Sequence, residues 1–193
     1  LAEPGPGLRL ADGSVATADL VVVGFGATPR TELAERAGLP VADGIVVDER
    51  LETAVEGVFA AGDVASAWHP RYGERVRSEH WENARRQGRT AAANLLGRGD
   101  AYARIPYFFS DQFDLGMELV GRFAASDEVV VRRLSDDAFL AFWLRDERLT
   151  AAMHANVWEA KKALDRLVAE GAQVDRALLA DPGVPLVELA AAA

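Results

Sequence analysis

Two glycine-bearing turns carry the residue types that could hold a ligand. The first closes Val58-Phe59-Ala60-Ala61-Gly62-Asp63-Val64. The apolar residues predict a short strand over Val58–Ala60 that runs into a glycine and a carboxylate. Ligands of open α/β sheets bind at that C-terminal strand edge. An ionised Asp63 can only accept hydrogen bonds, which suits a sugar-alcohol hydroxyl. The same residue also reads as a turn or capping aspartate. The second turn is Gly24-Phe25-Gly26-Ala27-Thr28-Pro29, which follows the nearly continuous apolar run Asp19–Gly24 (DLVVVG). Glycines after a strand can cradle a phosphate. The dinucleotide fingerprint needs a third glycine, however, and Pro29 stands there. From the residues alone, Gly24 and Gly26 read as a strand-ending turn, because an isolated G-x-G is a weak signal.

Several other chemistries are excluded. The sequence has no cysteine, so it builds no disulfide, thiolate zinc site or cysteine-ligated iron–sulfur cluster. His69, His80 and His154 lack metal-ligand spacing, and Ser78-Glu79-His80 cannot converge as a triad because its members are adjacent. They read as surface or core histidines. Phe108, Phe109, Phe113, Phe139, Phe142, Trp143 and Trp158 read as core aromatics. Acids outnumber bases 30 to 21, a net charge of -9, which argues against a general nucleic-acid binder. No apolar run approaches the roughly 20 residues that span a bilayer. No basic-then-apolar signal segment is present, and a cytoplasmic location is expected.

The elements that must position these turns follow from pattern. Leu8–Leu10 and Val15–Thr17 flank Asp12-Gly13, a hairpin signal. DLVVVG predicts a strand covered on both faces. A short helix is expected over Thr31–Ala37, stopped by Gly38 and Pro40, followed by a strand at Ile45–Val47. Residues 64–80 predict a long loop, of a length that is often functional. The clearest helix is Trp81–Leu96, with Ala84, Gly88, Ala91, Ala92 and Leu95 on one face.

Ile105-Pro106 opens a different region, with the domain boundary near Ala101–Ile105. Strands are predicted at Tyr107–Phe113, Met117–Val120, Glu128–Leu134, Ala138–Leu144 and Leu149–Asn156. A second helix is predicted at Val157–Glu170, with Val157, Ala160, Leu164, Leu167 and Val168 on its buried face. The alanine-rich tail from Ala190 predicts a frayed end.

Family resemblance adds a second layer. Residues 8–64, with Phe59-Ala60-Ala61-Gly62-Asp63-Val64 inside them, resemble the second half of the FAD-dependent pyridine-nucleotide reductases. RSEHWENARRQGRTAA, PYFFSDQFDLGMELVG and NVWEAKKALDRL are similar to the ferredoxin and rubredoxin reductase branch, and to apoptosis-inducing factor. The implied fold is α/β: a partial FAD-binding domain, glutathione-reductase-like, followed by an α+β C-terminal reductase domain. The resemblance implies three parts. Residues 1–26 would end the NAD-binding domain, 27–103 would return into the FAD-binding domain, and 104–193 would cover the flavin and often mediate dimerisation.

By the same resemblance, Gly62 and Asp63 would hold the FAD ribityl chain and Trp81 would sit beside flavin or nicotinamide. The start of the 81–96 helix would point at the flavin pyrimidine edge. Phe109 falls where the family has tryptophan, which keeps an aromatic wall and loses an N–H donor. Neither G-x-G-x-x-G loop of the family is in this sequence, so the chain resembles the C-terminal half of a reductase that uses FAD and NADH or NADPH. The expected partner is a ferredoxin-type iron–sulfur protein. Six arginines against three acids over residues 71–89 suggest a docking patch at Arg85, Arg86 and Arg89, all expected to be exposed. The alternative is a solvated helix face with a Glu82–Arg86 pair. At the level of the whole chain, the alternative is a non-catalytic interaction or dimerisation module derived from the same family.

Overall fold

The computed structural model describes the backbone of residues 7–192 and the side chains of residues 7–189. The predicted hairpin forms from β1 (Gly7–Arg9) and β2 (Val15–Thr17). The Asp12 carboxylate closes its turn by accepting from Ser14 N at 2.9 Å. The apolar run Asp19–Gly24, predicted as a strand, forms none: Leu20, Val22, Val23 and Phe25 are exposed. A strand exists only through its ladder, and no described residue pairs with this one.

Beyond it, α1 (Glu32–Arg36) leads into a four-stranded sheet of order β3-β4-β5-β6. These strands are β3 (Val41–Ala42), β4 (Gly44–Val47), β5 (Ala65–His69) and β6 (Glu74–Val76). Gly44 makes the β3–β4 turn with φ +94°, and a Cβ there would press on the Val64 carbonyl, so this position needs glycine. Strands β4 and β5 run parallel, Ile45 opposite Ala65. Two predictions fail here. The Val58–Ala60 strand reduces to a single bridge between Glu52 and Phe59. The paired strands instead are β5 and β6, inside the predicted loop of residues 64–80. Ala65, Ser66 and Ala67 open β5 before Trp68 and His69, so hydrophobic pattern does not reveal it. Those small side chains let α2 (Trp81–Leu95) lie close, over a core of Val47, Leu51, Ala60, Ala65, Ala67, Ala91 and Tyr102.

Helix α2 turns a different face inward from the one its pattern predicts. Gln87, Ala91 and Asn94 are buried, while Gly88, Ala92 and Leu95 are exposed. The two buried amides satisfy loop backbone. Gln87 Oε1 accepts from Gly62 N at 2.8 Å. Asn94 Nδ2 donates to Arg50 O at 2.7 Å and Asp100 O at 2.9 Å, and its Oδ1 accepts from Asp100 N. Buried loop backbone must find partners, and this requirement outweighs the apolar stripe.

The second half is a five-stranded antiparallel sheet of order β7-β8-β11-β10-β9. Its strands are β7 (Tyr107–Gln112), β8 (Leu115–Gly121), β9 (Glu128–Arg133), β10 (Phe139–Arg145) and β11 (Arg148–Ala155). All five predicted strands are present within a few residues. A 3₁₀ turn (Trp158–Ala160) and α3 (Lys161–Glu170) cover one face. As predicted, Val157, Ala160, Leu164, Leu167 and Val168 are buried, against Leu140, Phe142 and Ala152. Of the seven aromatics expected in the core, Phe142 is fully buried, whereas Phe108, Phe109, Phe113 and Trp158 are exposed.

Two short helices were not predicted, α4 (Arg176–Ala180) and α5 (Leu186–Ala192). Both are too short for periodicity, and α4 is held by an interaction distant in sequence. The buried Arg132 guanidinium donates to Leu178 O, Leu179 O and Val184 O at 2.6–2.8 Å. In the tail from Ala190, expected to fray, the backbone is helical to Ala192; its side chains and Ala193 lie outside the described residues. Among the described residues no helix is long and apolar enough to cross a membrane.

Candidate functional site

The site forms where the first half meets β7. His80 precedes α2 in extended conformation, and its Nδ1 lies 3.3 Å from Glu82 N. Its Nε2 lies 3.3 Å from Phe109 N on β7. A neutral imidazole accepts at one nitrogen only, so a given tautomer bonds the helix start or the strand and packs against the other. The ring also packs at a tilt against Phe108 and edge-on against Phe109, with centroids 4.8 and 4.9 Å away. His80 thus draws together Trp81 and Phe109, which line one cleft of about 710 Å³ with Asn83, Arg86, Tyr102 and Tyr107. Deeper in, Tyr102 donates to Asn83 Oδ1 at 3.0 Å. Trp81 itself is 65% exposed, and the Arg85 guanidinium stands 5.2 Å from its ring centroid.

The Gly62-Asp63 turn is seated on the same helix. Gly62 adopts φ +82°, and a Cβ there would lie 3.3 Å from Ala84 Cβ. Its N–H is held by Gln87. The Asp63 side chain is exposed and accepts no hydrogen bond among the described residues. Only its backbone carbonyl is used, by Arg77 at 3.1 Å. The carboxylate therefore neither caps α2 nor closes its own turn, and it is free to accept from a ligand. Gly24 and Gly26 lie in exposed chain, with nothing within 4 Å of a Cβ at either. No contact among the described residues joins them to this group.

The arginines of residues 71–89 are mostly occupied. Arg71 donates to Val168 O and Ala169 O at the end of α3, both at 2.8 Å. Arg75 donates to Val47 O at 2.6 Å. Arg77 binds Asp43 and Glu79. Arg85 and Arg86 share Glu82 at 2.9 and 2.5 Å, so the expected Glu82–Arg86 pair forms. Arg86 first, then Arg85, holds the Glu82 carboxyl below its ordinary range. Arg85 and Arg86 are half-buried, contrary to expectation, and Arg89 is exposed with no ion pair among the described residues.

Sequence reasoning missed His80, Gln87, Asn83 and Tyr102 as builders of the site. The one signal for His80 was its place just before the first helical residue, where a side-chain acceptor is wanted.

Comparison with known proteins bears on the fold. Residues 3–88 match the family described as pyridine nucleotide-disulphide oxidoreductase, and residues 107–190 match the family described as reductase C-terminal. Each match covers somewhat under half of the chain, and together they span most of it. The chain resembles ferredoxin reductases in particular. It is 46% identical over 173 residues to the ferredoxin–NAD(+) reductase component of the anthranilate 1,2-dioxygenase system of Burkholderia cepacia, covering 88% of this chain and 42% of that protein. It superimposes with a TM-score of 0.88 and 36% identity on the ferredoxin reductase for the CYP199A2 system from Rhodopseudomonas palustris, covering 95% of this chain and 46% of that one. The covalent putidaredoxin reductase–putidaredoxin complex matches with a TM-score of 0.84 and 36% identity, covering 95% of this chain and 44% of that one. The chain thus spans under half the length of these relatives.

Proposed function

We propose that this chain is the C-terminal half of a flavoprotein that passes electrons from NADH or NADPH, through FAD, to a ferredoxin-type iron–sulfur protein. The observation that carries the reading is Asp63: an exposed carboxylate, without a side-chain partner among the described residues, in a turn seated on the start of α2. The residues present fit a flavin nucleotide. Asp63 would accept hydrogen bonds from the hydroxyls of the ribityl chain, and Gly62 lets the turn that carries it sit against Ala84 of α2. The start of α2 would place free N–H groups and the positive end of its dipole near the electron-rich edge of the ring. Trp81 and Phe109 would wall the ring plane, Phe109 without offering a donor. When bound, FAD would supply the hydride and single-electron chemistry, while these residues bind and orient it. Gly24 and Gly26 would line the nicotinamide side, supported by their place after the apolar run Asp19–Gly24.

The domain boundaries proposed are 1–26, 27–103 and 104–193. In support, the two hydrophobic cores divide between Tyr102 and Val120, and the hairpin β1–β2 belongs to neither. The partner reading draws on the covalent putidaredoxin reductase–putidaredoxin complex. Its docking surface would centre on Arg89, with the outer edges of Arg85 and Arg86, and a cytoplasmic setting follows from that partner.

A dimerisation role has one observation in its favour. The sheet face away from α3 is apolar, with Phe108, Val129 and Val131 exposed, and a second copy could cover it.

The test is the longer protein that carries this chain. Purified, it should show a flavin absorption spectrum that bleaches with NADH or NADPH, and it should reduce a ferredoxin. A colourless protein that gains no flavin on addition of FAD would refute the reading.

A further inference from the structure

Adjoining the cleft, and sharing Tyr107, Val120, Lys161 and Asp165 with it, lies a second, small void. Its volume is about 10 Å³, and Glu118, His154, Lys161 and Tyr107 line it with Val120, Ala152 and Leu164. Glu118 and His154 stand directly opposite each other on β8 and β11. His154 is 1% exposed. Among the described residues, neither of its ring nitrogens has a hydrogen-bond partner, and neither does Glu118 Oε2. Buried polar atoms are nearly always partnered, so three orphans around one void are anomalous.

The spacing accounts for two of them, His154 Nε2 and Glu118 Oε2. Glu118 Oε2 is 3.6 Å from His154 Nε2 and 3.7 Å from Lys161 Nζ. Both gaps are too wide for a direct hydrogen bond, and a water seated beside the pair, within reach of both atoms, would bridge them. The void is about one water in size, and three polar groups are within its reach, which meets the requirement for a buried water. Lys161 closes the site: its ammonium lies 4.8 Å over the Tyr107 ring and bonds Asp165 Oδ2 at 2.8 Å.

We propose that Glu118, His154 and Lys161 form a single-water site adjoining the cleft, in which the water bridges the carboxylate to a neutral His154 and ties α3 to β8 and β11. The hydrogen sits on Nε2, toward Glu118, because the only acceptor nearby is that carboxylate. The charged groups around the ring balance. Glu118 on β8 and Glu159 on the 3₁₀ turn favour protonation of His154, Lys161 on α3 opposes it, and burial opposes it most. Asp165 is bound to Lys161, and the Tyr107 hydroxyl stays protonated. The site therefore resists a proton that the unfolded chain accepts below about pH 6.5. Acidification through that value weakens folding, because the unfolded state then binds more protons.

The 193-residue chain tests this directly. Ring-nitrogen NMR should show His154 as a single Nε2–H tautomer with a titration midpoint below 6.5, and a long-lived water should cross-relax with the ring. Glu118→Gln keeps the void and removes the favourable charge, so the His154 midpoint should fall further. His154→Leu should abolish the water signal. It should also make the slope of unfolding free energy between pH 7 and 5 shallower, by up to one proton. A His154 that titrates at or above 6.5, a void without water, or a midpoint that stays or rises in Glu118→Gln would each overturn the proposal.

Discussion

Replacing Asp127 by asparagine should unlatch the second half of the chain in a pH-dependent way. The Asp127 side chain is inaccessible to solvent and takes four donors. Arg145 Nε and Nη2 donate at 2.8 and 3.0 Å, Thr150 Oγ1 at 3.0 Å, and Ala124 N at 3.0 Å. Together they fix the entry to β9 against the β10–β11 hairpin. Asparagine loses the charge and turns one amide N–H₂ toward a donor. Breaking a buried ion pair costs about 3–5 kcal/mol. Arg145 is half exposed and can be rehydrated, so about 2–3 kcal/mol is expected, near the range for a charge-assisted bond. That is about 4–12 °C in Tm for a chain of this size.

The pH dependence follows from the carboxyl, which Arg145 above all holds below its ordinary value. For an acid lowered on folding, the stabilisation is complete above the unfolded pKa near 4. It is lost as pH falls through the lower folded value. Thermal unfolding from pH 7 to 2 should therefore show the two proteins far apart at neutral pH and converging below about pH 4. A constant gap down to pH 2, or a gap under about 0.5 kcal/mol at pH 7, would refute the reasoning.

Three further substitutions probe other contacts. Arg132→Met removes the donors to three carbonyls around α4, so amide exchange over residues 176–184 should accelerate, with a loss of about 2–4 kcal/mol. Gly116→Ala would put a Cβ 2.6 Å from Trp158 Cη2, and chemical denaturation should report about 1–3 kcal/mol of overpacking. Gln87→Leu leaves Gly62 N–H without its acceptor, at about 1–3 kcal/mol in the same assay.

How much of this was legible in the sequence depended on where each element finds its partners. The β7–β11 sheet and α3 were readable because each strand has a local hairpin or helix partner and an apolar face of the right period. Strand β5 was not, because its run Ala65-Ser66-Ala67 packs between two strands without a strand-like hydrophobic pattern. The run Asp19–Gly24 has the composition of a strand but no neighbour to pair with among the described residues. The face of α2 was misassigned because Gln87 and Asn94 are buried for their amides, which pattern counts as outward. Of the site residues, Gly62, Asp63, Trp81 and Phe109 were visible through family motifs. His80, which holds α2 against β7, joins residues 29 apart in sequence, and no local rule reports such a contact. The arginine cluster shows the converse: the composition suggested a free basic surface, and the fold uses most of it on carbonyls and acids.

The central claim, that the Gly62-Asp63 turn on α2 is built to hold a flavin nucleotide, is tested most directly by Asp63→Ala. In the 193-residue chain the substitution should leave stability within about 0.5 kcal/mol, since the carboxylate bonds nothing there. In the longer flavoprotein, the dissociation constant for FAD should rise ~10- to 150-fold, the equivalent of one charge-assisted hydrogen bond of ~1.5–3 kcal/mol. An unchanged constant would show that Asp63 takes no part in holding the cofactor, and would contradict the account.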